Sequence, residues 1–256
     1  MPLSHYNPLL VAISFVIAIL AAWTALSMAG RVSTSRGKTA AFWLTGGGVS
    51  MGIGIWSMHF IGMMAMDNAM LMHYSLWLTS LSMIVAIASS LFALWLVSVD
   101  RLSPRRLLPG SLVMGTGIVV MHYTGMAAIE VNSPIIWHYG WVIASVIIAL
   151  LASFSALWLT FRLRLEAAQV ALMRFGAAIL MGIAIAGMHY AGMMAAQMPP
   201  QMAMVHDGMH GSWLAAMVSI VTLFILAITL LLSMLDARLQ ARTALLASSL
   251  AQANQE

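Results

Sequence analysis

The stretch that decides the fold is MGIGIWSMHFIGMMA, Met51–Ala65. It returns as MGTGIVVMHYTGMAA at Met114–Ala128 and as MGIAIAGMHYAGMMA at Met181–Ala195. The shared pattern, M-G-x-[GA]-x-x-x-M-H-[FY]-x-G-M-x-A, is centred on His59, His122 and His189. A second element precedes each copy: His5-Tyr6-Asn7, His73-Tyr74-Ser75 and His138-Tyr139-Gly140. From its histidine to the motif histidine is 54, 49 and 51 residues. The chain is therefore expected to be three helix pairs of one kind plus a seventh helix.

Working outward, the spans come into view. Seven apolar stretches are long enough to cross a bilayer: roughly 8–30, 41–66, 75–99, 107–131, 139–161, 172–196 and 212–235. Of the 256 residues, 62% are hydrophobic and 7% charged, with mean hydropathy +0.96. That excludes a water-soluble globule and a disordered chain. No cysteine is present, which excludes a disulfide scaffold, thiolate zinc and iron–sulfur chemistry. All eleven basic residues fall between helices 1 and 2, 3 and 4, 5 and 6, or after helix 7. The positive-inside rule then puts the N-terminus outside and the C-terminus inside. The basic balance thus reports topology and gives no reason to expect nucleic acid. All three pairs start on the outside, so they are parallel repeats. Helix 1 lacks a basic leader and reads as a retained span.

At about 100° per residue, each motif histidine shares a helix face with the methionine four residues later. The glycines seven before and three after lie on or near that face. Small residues let helix backbones approach closely in lipid. Three such faces turned inward bring His59/Met63, His122/Met126 and His189/Met193 together, about 10 Å below the outer surface. A single membrane histidine can simply hydrogen-bond its neighbour, and a methionine stripe usually packs. Three copies in one register favour ligands. Met58, Met121 and Met188 point elsewhere and read as packing.

Imidazole with thioether, and no thiolate, suits copper as Cu(I) or Cu(II). Zinc gains little from methionine, and haem fits the threefold multiplicity poorly. Further candidate ligands toward the outer side are His5, His73, His138, His206 and His210. The last two sit in a Met-rich outer segment, Met193–His210. Asp67 and Glu130 read as interfacial charges.

Met121-His122-Tyr123-Thr124, with its variants Met58-His59-Phe60-Ile61 and Met188-His189-Tyr190-Ala191, resembles the bacterial MHYT sensor domain over nearly the whole chain. The resemblance implies an integral inner-membrane sensor. It implies copper near the periplasmic face and detection of oxygen, carbon monoxide or nitric oxide. It also implies signalling to cytoplasmic GGDEF or EAL domains that make or degrade cyclic di-GMP. Phe60 departs from the motif and puts in doubt any role for a hydroxyl there.

On this reading residues 1–235 form the sensor domain and 236–256 a cytoplasmic helical linker, fit for a homodimer contact. From Trp213 to Glu256 no Gly or Pro occurs, so helix 7 is expected to run unbroken into that linker and carry the signal. No catalytic motif is present, and the chain is expected to be a sensor and not an enzyme. Two readings compete with it. One is a copper transporter or chaperone, using Met51, Met114 and Met181 deeper in the bilayer. The other is a haem- or copper-dependent membrane oxidoreductase.

Overall fold

A computed structural model describes residues 6–66, 73–99, 103–130, 135–164, 170–197 and 209–253. The described residues form seven helices: α1 (Pro8–Thr34), α2 (Gly37–Met64), α3 (Leu76–Ser98), α4 (Pro104–Ala127), α5 (Tyr139–Leu163), α6 (Val170–Ala195) and α7 (Gly211–Ala253). Five of them, with α6 counted from Leu172, are long and apolar enough to span a membrane. α2 is diluted by glycine and serine along its length, and α7 carries the apolar stretch Ala216–Leu231. The chain is an all-α membrane protein.

The first six helices close a ring. Each packs on the next in sequence, and α6 returns to α1. The even helices α2, α4 and α6 turn their motif faces to the centre. α7 stands outside the ring against α2 and α1. Its contact with α2 includes hydroxyl pairs, Ser57 with Thr222 and, two turns away, Ser50 with Thr229 at 2.6 Å. Interhelical hydroxyl bonds substitute in lipid for the hydrophobic force that water would supply.

The glycine seven residues before each motif histidine sets the ring spacing. A Cβ on Gly52 would lie 2.5 Å from the Ile87 backbone of α3. On Gly115 it would lie 2.8 Å from Leu150 of α5, and on Gly182 2.5 Å from Ile19 of α1. Each even helix thus seats its glycine on the odd helix of the following repeat, and the third closes onto the first. This is close-approach packing with threefold pseudosymmetry.

One end of the bundle carries short strands: β1 (His73–Tyr74), β2 (Ile129–Glu130), β3 (Ile136–Trp137), β4 (Ala196–Gln197) and β5 (Met209–His210). β1 pairs antiparallel with β2 and β5, and β3 with β4. Tyr6 bridges to Met66 in the corresponding place. The motif's closing alanine has a task here. The carbonyls of Ala65, Ala128 and Ala195 accept from the amides of Asn7, Ser75 and His138, at 2.6, 2.8 and 2.8 Å.

That register corrects one sequence expectation. The third lead segment is Ile136-Trp137-His138, two residues before His138-Tyr139-Gly140. Asn7, Ser75 and His138 are the N-cap residues of α1, α3 and α5. The recurrence of His-Tyr at 138–139 is a likeness of letters and not of position.

Candidate metal centre

His59, His122 and His189 meet at the centre of the ring and are wholly buried. Nδ1 of His59 lies 3.1 Å from Nδ1 of His122 and 3.1 Å from Nδ1 of His189. The ring centroids stand 4.8, 5.1 and 5.3 Å apart, with planes crossing at 76°, 87° and 82°. The imidazoles therefore meet at their edges, like blades of a propeller. One nitrogen from each lies within 4.8 Å of the other two. Among the described residues this is the only group of three or more His, Asp or Glu side chains so close.

The opposite edge of each ring explains the second motif glycine. Nε2 of His59 rests on Gly125, that of His122 on Gly192 and that of His189 on Gly62. A Cβ at any of these glycines would occupy the space of the imidazole. Each histidine therefore leans on a neighbouring repeat, again cyclically. No Nε2 atom reaches a full hydrogen-bond partner, although His189 draws weak support from the Gly62 backbone.

The hydrogen bonding of the centre is incomplete. A neutral imidazole nitrogen carries either a proton or an in-plane lone pair. Nδ1 of His59 can therefore complete a hydrogen bond with one of its two neighbours, and not with both. The other contact is left without a well-aligned hydrogen bond where no water reaches. A metal ion at the focus of three lone pairs removes the conflict. Three nitrogens at about 2.0–2.1 Å from one ion stand about 3.5 Å apart; the two His59 contacts, at 3.1 Å, are near that spacing, and all three nitrogens lie within 4.8 Å of one another.

The other sequence-derived candidates fall in different places. Met63, Met126 and Met193 lie one turn beyond their histidines and are buried in the same core. Met58, Met121 and Met188 are buried as well. His73 is in β1, its backbone flanked by Glu130 and His210. His138 is exposed at the start of α5. His5 and His206, with Asp67 and most of the Met-rich segment, lie outside the described residues. Neither His73 nor His138 joins the central three in that group, and the side chain of His210 lies outside the described residues.

The motif aromatic, whose role the sequence left open at Phe60, is a strut. Phe60 packs on Tyr74 at 6.0 Å, Tyr123 on Trp137 at 5.4 Å and Tyr190 on Tyr6 at 6.0 Å. Each thus meets the lead aromatic of the next repeat. The hydroxyls point away from the histidines. Tyr123 bonds Ser145 at 2.7 Å and Tyr190 bonds Ser14 at 2.9 Å. The serine that corresponds for Phe60 is Ser82 on α3, and Phe60 has no donor to offer it. Trp56, one turn earlier on α2, donates its Nε1–H to Ser82 at 3.0 Å instead. Sequence reasoning missed these serines. Their signal was present, since each stands seven residues after Asn7, Ser75 or His138.

Comparison with known proteins identifies the family. The family model described as "Bacterial signalling protein N terminal repeat" (MHYT) matches residues 2–42, 52–110, 115–173 and 182–244. The chain is 50% identical to the bifunctional diguanylate cyclase/cyclic di-GMP phosphodiesterase MucR of Pseudomonas aeruginosa, over 100% of this chain and 38% of that protein. It is 38% identical to the signaling protein YkoW of Bacillus subtilis, over 77% of this chain and 25% of that one. To the cyclic di-GMP phosphodiesterase NbdA of P. aeruginosa it is 36% identical, over 74% and 24%. The chain thus spans well under half the length of these curated relatives. No solved structure matches. With the motif, the repeats and nearly the whole length matched, the chain belongs to the MHYT family of bacterial signalling proteins.

Proposed function

We propose that this chain is the membrane sensor module of a bacterial cyclic di-GMP signalling protein, and that His59, His122 and His189 hold a copper ion. The convergence of three buried Nδ1 atoms carries the reading. The donor chemistry supports copper: imidazoles with thioethers one turn away, and no thiolate in the chain. Three imidazoles within 5.3 Å of one another leave no slot for a porphyrin between them. Bound copper supplies a redox-active centre able to take a small ligand such as oxygen, carbon monoxide or nitric oxide. The described basic residues lie at the end opposite the strands, which supports a periplasmic strand end, a cytoplasmic C-terminus and an inner-membrane location.

The chain's own residues supply the rest. The motif glycines and aromatics lock each imidazole to a neighbouring repeat, so a ring that turns must move the next helix. Two residues before His59, Ser57 bonds Thr222 of α7. α7 then runs without interruption to Ala253, 43 residues and about 65 Å of helix. A ligand shifts such a ring only by binding one packing arrangement better than another. On this reading α7 delivers the difference to a cytoplasmic output domain, and pairing of α7 with a second copy would make the output dimeric.

Metal analysis of the purified protein tests the proposal. Wild type is expected to carry copper, and His59→Ala, His122→Ala and His189→Ala each to lose most of it. Equal copper in all four proteins would remove the assignment.

A further inference from the structure

Deeper along the same axis lies a second set of three donors that the histidine centre does not use. Met51, Met114 and Met181 open the three motifs, eight residues before the histidines. Eight residues of helix place them about 12 Å further from the strand end. They are 3%, 4% and 4% exposed, and all three line one small cavity. Its walls come from all six ring helices, so it straddles the pseudo-threefold axis.

The register of the surrounding wall is as regular as that of the methionines. Ala25, Ala93 and Ala156 line the same cavity, each eighteen residues after Asn7, Ser75 or His138. Small residues at these places leave a void of about 10 Å³. That is roughly the size of one water-sized particle, but a water needs two to four polar partners to stay. The lining offers a single hydroxyl, from Thr160, and otherwise carbon and sulfur. Water is a poor occupant. The donor residues that line it from three helices are the methionines, and soft thioether ligands select Cu(I).

We propose that Met51, Met114 and Met181 form a second metal site, a three-thioether site for a soft monovalent cation of the Cu(I) class. A divalent ion has no carboxylate or thiolate here to balance its charge, and an unbalanced charge inside a bilayer is costly. A singly charged, weakly hydrated ion carries the smallest such cost. The site rests on the axial geometry alone and does not require the histidine centre to be loaded. The protein then carries two axial stations of different softness, nitrogen toward the strand end and sulfur at mid-depth.

The test uses Ag(I) as the probe, a soft monovalent ion without redox chemistry, on the full purified chain in detergent. Four proteins are compared by equilibrium binding and by X-ray absorption: wild type, Met51→Leu/Met114→Leu/Met181→Leu, His59→Ala/His122→Ala/His189→Ala, and Met114→Leu alone. Leucine keeps the volume and removes the sulfur. The triple leucine protein is expected to bind one Ag(I) fewer than wild type. The triple alanine protein is expected to keep that ion in a sulfur-only shell. Met114→Leu is expected to weaken it at least tenfold, which decides the matter if the triple leucine protein does not fold. Equal stoichiometry and affinity in wild type and the leucine proteins would overturn the site. Loss of Ag(I) from the triple alanine protein alone would overturn it too. Loss of copper from the alanine protein with Ag(I) retained would bear on the histidine centre and leave this site standing.

Discussion

The imidazole of His59 on α2 rests edge-on against the backbone of Gly125 on α4. The absent side chain is therefore part of the histidine cluster. Gly125→Ala adds one methyl group where Nε2 of His59 lies. The ring must turn or the helices must part, and overpacking of this kind costs about 1–3 kcal/mol. The expected outcome is at least a tenfold fall in copper affinity with a lower unfolding temperature. Gly187→Ala is the control, on α6 and within the motif, where a Cβ would meet nothing within 4 Å. Matching copper affinity in the two variants would mean that the glycine contact does not position the histidine.

Repeat 1 replaces a tyrosine hydroxyl by an indole. Trp56 donates to Ser82 where Tyr123 and Tyr190 serve Ser145 and Ser14. The alternative pair is written in repeat 2, where Val119 and Tyr123 occupy the places of Trp56 and Phe60. Trp56→Val is expected to destabilise by roughly 2–4 kcal/mol, chiefly through the space left behind. Adding Phe60→Tyr is expected to restore about 1 kcal/mol by supplying the lost hydrogen bond. Phe60→Tyr alone has no vacant partner and should gain nothing. Thermal unfolding of the four proteins gives the coupling directly. Additive effects would show that the two side chains do not serve one serine.

The tie between α2 and α7 can be cut without touching the histidines. Ser57→Ala/Thr222→Val removes one buried hydroxyl pair, worth about 0.6–1.7 kcal/mol in a membrane. The chain has no cysteine, so Lys38→Cys and Leu246→Cys accept spin labels at chosen places. Copper is expected to change the distance distribution between these labels in the otherwise wild-type chain. In the Ser57→Ala/Thr222→Val background the change is expected to be at least halved while copper content stays the same. A full response there would rule out this contact as the relay.

Tyr74 offers a pH-dependent test outside the helices. Burial raises its phenol above the ordinary tyrosine range, since a phenolate would be stranded without solvent. The unfolded chain loses that proton near pH 10, and the folded chain holds it longer. Between those limits the folded state binds more protons, so stability falls as pH rises. The fall is up to about 1.4 kcal/mol per pH unit for this one group. Below pH 9 no effect is expected. Tyr74→Phe should flatten the alkaline limb of an unfolding-versus-pH curve relative to wild type, and equal slopes would assign the limb to other groups.

Much of this was legible in the sequence because the repeats carry their constraints in letters. Histidine, the methionine four residues on and two glycines recur in register, and helix periodicity turns that into a shared inward face. The convergence of His59, His122 and His189 follows from it. Which neighbour each glycine meets was not legible. Gly125 serves His59, and Gly115 serves Leu150, only once the ring has closed with a definite hand. The third lead segment misled for a related reason. Strand register depends on the amide of His138 reaching the carbonyl of Ala195, and this is a backbone matter that a His-Tyr pair two residues out of place imitates. The exchange of Trp56 for a tyrosine hydroxyl was hidden because it moves a donor by one helical turn, so no aligned position records it.

A metal held by the three histidines should tighten what the glycines and aromatics hold together. His59 makes two close Nδ1 contacts, of which one can be a hydrogen bond. Copper that binds the folded ring and not the unfolded chain stabilises by RT ln(1 + [L]/Kd), about 2.7 kcal/mol at one hundred times Kd. The unfolding temperature is therefore expected to rise with copper concentration and to fall on treatment with a Cu(I) chelator. The dependence should vanish in His59→Ala/His122→Ala/His189→Ala. In that variant the three centre nitrogens are gone, and with them the unsatisfied contact, so its metal-free form should lose less stability than three core truncations would suggest. A chelator that leaves the wild-type unfolding temperature unchanged would place the copper, if any, outside the ring.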